Sequence, residues 1–141
     1  MEKCDSKYCG CLYFSANALA RTMTRMADEV FAKVGLSSSY AILLITVNEQ
    51  AGIQPKAICQ QMQLTPSTVT RLIEKMEHRG LLERRRVGRT TEVYPTEASL
   101  ALLPQIKAAW ADLYQRYTDV LGQSFSQELT SNIYEAAKRL D

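Results

Sequence analysis

The sequence predicts a mainly α-helical fold interrupted by one small β-hairpin, on three observations. Apolar residues recur at helical spacing through most of the chain, two short runs rich in β-branched or long residues break that period between Leu81 and Tyr94, and Gly or Pro stands where elements should begin or end. At 141 residues the chain is long enough for one core and too short for two. Its 46% hydrophobic and 23% charged residues place it among globular proteins.

The elements follow in order. From Tyr13 to Val34, the residues Leu19, Met23, Met26, Val30 and Phe31 form an amphipathic stripe that Gly35 ends. Ser37, Ser38 and Ser39 offer caps to a second helix whose body, Tyr40 to Asn48, is apolar nearly all round, as expected in the middle of a core. Gly52 ends that element, and Pro55 opens a short helix over 55–62 that buries Ala57, Ile58 and Met62. Gln63-Leu64 makes the turn. Thr65-Pro66 starts the next helix, the Thr65 hydroxyl expected to accept from a first-turn amide while Pro66 costs no backbone bond. That helix runs to Arg79, and Gly80 closes it. Leu81 to Val87 and Thr90 to Tyr94, joined at Gly88-Arg89, read as a hairpin. Thr96 then caps a long helix striped by Ile106, Trp110, Leu113, Tyr117 and Val120, which Pro104 should kink or delay. After Gly122 a last helix, Ser126 to Leu140, carries Leu129, Ile133, Ala136, Ala137 and Leu140 on one side.

The net charge is only +2, but Arg71, Lys75, Arg79, Arg84, Arg85, Arg86 and Arg89 fall within one short span. Wound at about 100° per residue, residues 66–79 place Val69, Leu72, Ile73 and Met76 on one side and Ser67, Thr70, Arg71, Glu74 and His78 on the other. An apolar back and a short-polar-plus-Arg front, preceded by a short helix and a tight turn, is the anatomy of a DNA recognition helix. Small hydroxyl residues let the backbone approach a groove, and Arg71 is long enough to reach a guanine edge or a phosphate. The basic hairpin beyond it suits a phosphate track or a narrow minor groove. Helix, turn, helix and basic hairpin together define a winged helix-turn-helix.

The run Leu64-Thr65-Pro66-Ser67-Thr68-Val69-Thr70-Arg71-Leu72-Ile73, then Glu77-His78-Arg79-Gly80-Leu81-Leu82-Glu83-Arg84, resembles the MarR family of bacterial regulators. Gly35-Leu36-Ser37 and Pro95-Thr96-Glu97 fit the same pattern, so the resemblance spans nearly the whole chain. It implies one domain over 1–141, with dimerisation helices at 8–35 and 97–141 around a DNA-binding region at 36–95. It also implies a homodimeric regulator, a repressor on a palindromic operator of double-stranded DNA, released by a small-molecule effector. Matched residue by residue, Ser67, Thr68, Thr70 and Arg71 fall on the family's recognition helix, and Arg89 on the second position of its Asp-x-Arg wing motif, whose Asp is Val87 here. Lys75 and Arg86 complete the candidate DNA contacts. The wing is about four residues shorter than the family's usual one, so Arg86 and Arg89 have two possible destinations, the minor groove or the phosphates. Independently of the resemblance, apolar stripes on both terminal helices exceed what one small core can cover, which implies a second copy.

Two kinds of control are compatible with the residues. Tyr13, Tyr40, Trp110 and Tyr114 are candidate walls for a small aromatic effector, against the plainer reading that aromatics at helical spacing build core. Cys9 and Cys11, near Tyr8 and Tyr13, resemble the amino-terminal region of the family's peroxide-sensing branch, although that branch's further tyrosine falls on Ser38. Against an oxidant sensor stands the plainer reading of Cys4, Cys9 and Cys11 as free tail thiols. Cys59 reads as a small buried hydrophobe. A winged-helix protein-interaction module that does not read DNA is the alternative from another class.

Other classes find little support. One His and a C-x4-C-x-C spacing do not make a zinc site, and without a glycine-rich phosphate loop or paired carboxylates no enzyme, catalytic residue or cofactor is expected. No apolar run approaches the length of a membrane span, and residues 1–7 lack a signal-peptide pattern, so a cytoplasmic protein with no membrane partner is expected.

Overall fold

The computed structural model describes residues 5–141. Among these, the order is α1 (Leu12–Phe31), a 3₁₀ turn (Ala32–Val34), α2 (Ser38–Glu49), α3 (Pro55–Met62), α4 (Pro66–His78), β1 (Leu82–Val87), β2 (Thr90–Pro95), α5 (Glu97–Leu121) and α6 (Gln123–Leu140). The mainly α fold with one hairpin is therefore the observed one. No single described helix is long and apolar enough to cross a membrane.

The core gathers around α2. Leu43, Leu44 and Val47 are fully buried, as are Val30 and Phe31 of α1, Ile58 of α3, Ile73 and Met76 of α4, Val93 of β2 and Ile106 of α5. Each such side chain contributes roughly 1.5–3 kcal/mol relative to exposure, which is why an all-round apolar α2 can hold every other layer in place. Polar ties join the layers at specific points. The Asn48 amide donates to Ser99 Oγ at 2.8 Å, and the Thr96 hydroxyl donates to the Gly80 carbonyl at 2.7 Å while accepting from the Ser99 amide. The end of α4 and the start of α5 are thus coupled through one side chain.

Several local expectations are corrected. The serines do not cap α2 through their hydroxyls; the Ser38 amide instead donates to Asp28 Oδ1 of α1 at 3.4 Å, a cap supplied across the helix pair. Thr65 makes no side-chain bond to a first-turn amide. Its hydroxyl lies 2.9 Å from Thr68 Oγ1 and 3.4 Å from Ser67 Oγ, so neighbouring hydroxyls outcompete the amide. Pro104 does not delay α5, which is already helical from Glu97; it sits on the exposed face, where water can meet the carbonyl it leaves unpaired. The last helix starts directly after Gly122, three residues before Ser126.

Gln63, between α3 and α4, has φ 54° and ψ 45°, a left-handed conformation that costs a residue with a Cβ about 1–2 kcal/mol. Replacing Gln63 by Gly relieves that strain at the cost of some unfolded-state entropy, so Gln63→Gly should raise stability by about 0.5–1 kcal/mol. A lowered urea midpoint for this variant would show that the Gln63 side chain holds the turn by contacts of its own.

Burial along α5 falls steeply. Ile106 is fully buried, Trp110 lies edge-on to Phe31 with its other side open, and Val120 is 82% exposed. In α6, Ile133 is 50% and Leu140 79% exposed. The predicted stripes are real faces, but their distal halves leave the core of this chain.

Candidate nucleic-acid interface

The apolar back of α4 is its buried face: Val69, Leu72, Ile73 and Met76 are all within the core. That anchoring leaves the opposite face outward, with Ser67, Thr70, Arg71 and Lys75 exposed. Thr68 is half-buried and tied to Thr65, so among the predicted contacts it is the one committed to the turn.

The hairpin is ordered by its pleat. Strand β1 pairs antiparallel with β2 so that Arg84 faces Val93, Arg85 faces Glu92 and Arg86 faces Thr91. Positive φ at Gly88 (64°) but not at Arg89 is the sign pattern of a type II′ two-residue turn. Since directly opposed residues share a face and alternate residues share a side, Leu82, Arg84, Arg86, Thr91 and Val93 lie on one face, and Glu83, Arg85, Glu92 and Tyr94 on the other. Leu82 and Val93 are buried, so the first face is the one turned toward α4.

This parity sorts the arginines. Arg84 reaches α4 and makes a fork with Glu77, Nη2 to Oε1 at 2.9 Å and Nε to Oε1 at 3.2 Å, while its own backbone N–H donates to Glu77 Oε2 at 3.1 Å. Glu74 stands 3.8 Å from the same guanidinium. Arg85, on the outer face, pairs with Glu83 at 3.3 Å and lies 4.2 Å over the Tyr94 ring, whose hydroxyl donates to Glu92. Among the described residues, Arg71, Lys75, Arg86 and Arg89 form no ion pair, and all four are exposed. The run of positive charge on the hairpin is thus two arginines that build the wing and two that stay exposed and outside the described ion pairs.

The base of the wing has a bridging contact from outside the hairpin that sequence periodicity did not reveal. Ile53 bridges Val93, with Gly52 N–H donating to Val93 O at 2.8 Å and Val93 N–H to Ile53 O at 2.9 Å. Gly52 has φ 89°, and a Cβ there would sit 3.2 Å from the Tyr94 hydroxyl oxygen. Glycine at 52 therefore serves the wing root rather than simply ending a helix.

The Glu77 carboxyl is held below its ordinary 4.5, first by the Arg84 side chain and then by the Arg84 N–H. A depressed folded value means stability that is fully present above about pH 4.5 and lost as pH falls through the lower folded value. Urea midpoints between pH 7 and pH 3 should accordingly fall less steeply in Glu77→Gln than in the parent, and parallel curves would show that the fork does not contribute.

The candidate effector and thiol residues are dispersed. Tyr114 lines a cleft of about 470 Å³ between α5 and α6, together with Tyr117 and Tyr134. Tyr13, Tyr40 and Trp110 do not line it: Tyr13 is exposed on the first turn of α1, Tyr40 packs half-buried against the core, and Trp110 meets Phe31. Cys11 is an exposed free thiol, whereas Cys9 is disulfide-bonded, which corrects the expectation of a free thiol there. Cys4 lies outside the described residues. Cys59 is half-buried against the core as a small apolar group.

A helix-turn-helix with an outward polar helix, followed by a β-wing bearing outward arginines, defines the winged-helix class of DNA-binding architecture. Residues 34–90 match the model of the MarR family. The structure of the transcriptional repressor CouR bound to a 23-mer DNA duplex is similar with a TM-score of 0.85 at 19% identity, covering 97% of this chain and 99% of that one. The PcaV regulator from Streptomyces coelicolor in complex with its natural ligand gives 0.85 at 18% identity, with 100% of both chains covered. The MepR–DNA complex of S. aureus gives 0.79 at 16% identity, covering 91% of this chain and 97% of that one. At these identities the likeness establishes the fold. No curated protein sequence matches the chain.

Proposed function

We propose that the chain is a homodimeric transcriptional regulator, a repressor, that binds a palindromic operator with one α4 per half-site in successive major grooves and one wing alongside each. The observation that carries this reading is the set of exposed cations Arg71, Lys75, Arg86 and Arg89, unpaired among the described residues, on one helix and the hairpin beside it. Ser67, Thr68 and Thr70 line the first turns of the same helix. The helices at 8–35 and 97–141 form the dimerisation part and residues 36–95 the DNA-binding region, in keeping with the exposed apolar ends of α5 and α6. With two reading heads about 34 Å apart, anything that alters the angle between the terminal helices alters the fit to DNA.

Titration against genomic fragments flanking the gene, in gel shifts at several salt concentrations, tests this. Expected is saturable nanomolar binding to one palindrome, with a salt slope of about 0.9 for each phosphate contact. Equal affinity for that palindrome and for random DNA would leave a winged-helix module that does not read sequence.

Release by a small aromatic effector is part of the proposal. The tyrosine-lined cleft between α5 and α6 supports it, as do similar proteins solved with p-coumaroyl-CoA or a natural ligand. The second reading, release by an oxidant at Cys11, is favoured by the exposure of the Cys11 thiol. Organic peroxide then weakens operator binding in the parent and not in Cys11→Ser, whereas an unchanged response in that variant removes Cys11 from the mechanism.

A further inference from the structure

We infer that Arg84 is a positioning residue rather than a DNA contact, and that the carboxylate of Glu77 on the recognition helix sets the angle of the wing. The inference rests on the DNA-binding reading and deepens it. A two-stranded hairpin alone is marginal in water, so its direction depends on how its base is fastened. Two fasteners stand at the base. On one side Ile53 pairs with Val93. On the other, Glu77 grips β1 at Arg84 through both the guanidinium and the backbone N–H, an arrangement that fixes position and direction together.

The leverage is geometric. From Arg84 to the Gly88 turn is four residues of strand, about 13 Å. A swing of about 10° at the fork therefore moves the tip by about 2 Å, enough to break a charge-assisted hydrogen bond whose useful range is only a few tenths of an ångström. Arg86 shares the face of Arg84, and Arg89 sits at the tip, so both outward cations move with this lever. Glu74, 3.8 Å from the same guanidinium, reinforces the hold from one turn earlier on α4. The arrangement also keeps two acidic residues of the recognition helix from repelling DNA, because Arg84 compensates them locally.

The inference and simple electrostatics predict opposite signs. Glu77→Gln removes a negative charge beside the DNA-facing surface, so a purely electrostatic account has it bind operator more tightly. Loss of wing alignment has it bind about 5- to 30-fold more weakly. The experiment measures operator and random-DNA affinity, salt slope and hydroxyl-radical footprint for full-length parent, Glu77→Gln, Arg84→Gln and the double variant, each checked for an intact thermal transition. Expected are matching losses in Glu77→Gln and Arg84→Gln, the same reduction of the salt slope in both as the wing's phosphate contacts weaken, and loss of protection confined to the sequence flanking each half-site while the central major-groove protection persists. The losses in the double variant should not multiply. Tighter or unchanged binding by Glu77→Gln overturns the inference, as does a fall in the salt slope of Arg84→Gln that Glu77→Gln does not share, since that marks a phosphate contact of Arg84 itself. Should one of these variants fail to fold, Arg84→Lys keeps the charge but not the fork, and unchanged affinity and footprint there equally overturn it. Failure of the parent to prefer any operator would instead strike the DNA-binding reading itself.

Discussion

Arg71→Ala is expected to weaken operator binding by at least about 30-fold and to relax base preference at a single position in each half-site. Arg71 projects from the exposed face of α4, one turn into the helix, and among the described residues no carboxylate pairs with it. A bidentate arginine–guanine contact discriminates by about 1–3 kcal/mol, and a symmetric dimer loses it twice, giving about 2–6 kcal/mol per operator. Arg71→Lys retains charge but not the planar fork, so it should keep the salt slope and still lose the base preference. Selection of bound sequences from a random pool, compared between the parent and both variants, reads the outcome directly. Uniform weakening across all sequences would place Arg71 on the phosphates. Arg89→Ala should show that uniform behaviour, with a salt slope reduced by about one per lost contact.

The second large effect is expected at the terminal helices. Val120 and Phe125 flank the α5–α6 junction, Ile133 and Leu140 lie along α6, and all four are exposed in the isolated chain. Covering a side chain of this size contributes roughly 1.5–3 kcal/mol. In a two-fold dimer each substitution acts twice, so Ile133→Ala should raise the dimer dissociation constant by about 10²- to 10⁴-fold, and Ile133→Glu by more because a carboxylate is then buried unpaired. Analytical ultracentrifugation across a concentration series checks this, with α-helical content as the control for folding. A monomeric parent at micromolar concentration would sink the dimer, and with it the paired reading heads.

Much of the fold was legible because its elements are separated by strong local signals. The α4 wheel identified the buried quartet Val69, Leu72, Ile73 and Met76, and Gly35, Gly80 and Gly122 mark real boundaries, each with positive φ. The features that escaped are those in which one element chooses its partner on another. Asp28 capping α2, the Ile53–Val93 bridge and the Glu77–Arg84 fork join residues whose proximity depends on the packed core rather than on spacing. The same reason explains why the four arginines of the hairpin looked equivalent in the sequence. Only the folded hairpin brings Glu74 and Glu77 to Arg84 and Glu83 to Arg85, and so distinguishes these two from Arg86 and Arg89. The effector walls were the least legible, since aromatic residues at helical spacing carry no information on which cleft, if any, they share.

The two-residue turn at Gly88-Arg89 has a consequence for how such a wing can change over evolution. Strand faces alternate with every residue, so inserting one residue into β1 ahead of Arg84 would invert the parity of everything downstream. Arg84 would then point outward, its neighbours would turn toward α4, and the contact with Glu77 would be lost at the same stroke. Lengths that preserve the interface differ by two. Single-residue insertions and deletions in this strand are therefore expected to be purged, whereas paired ones at the tip would extend or retract the wing while leaving its root intact, so that diversification of DNA contact proceeds in quantised steps.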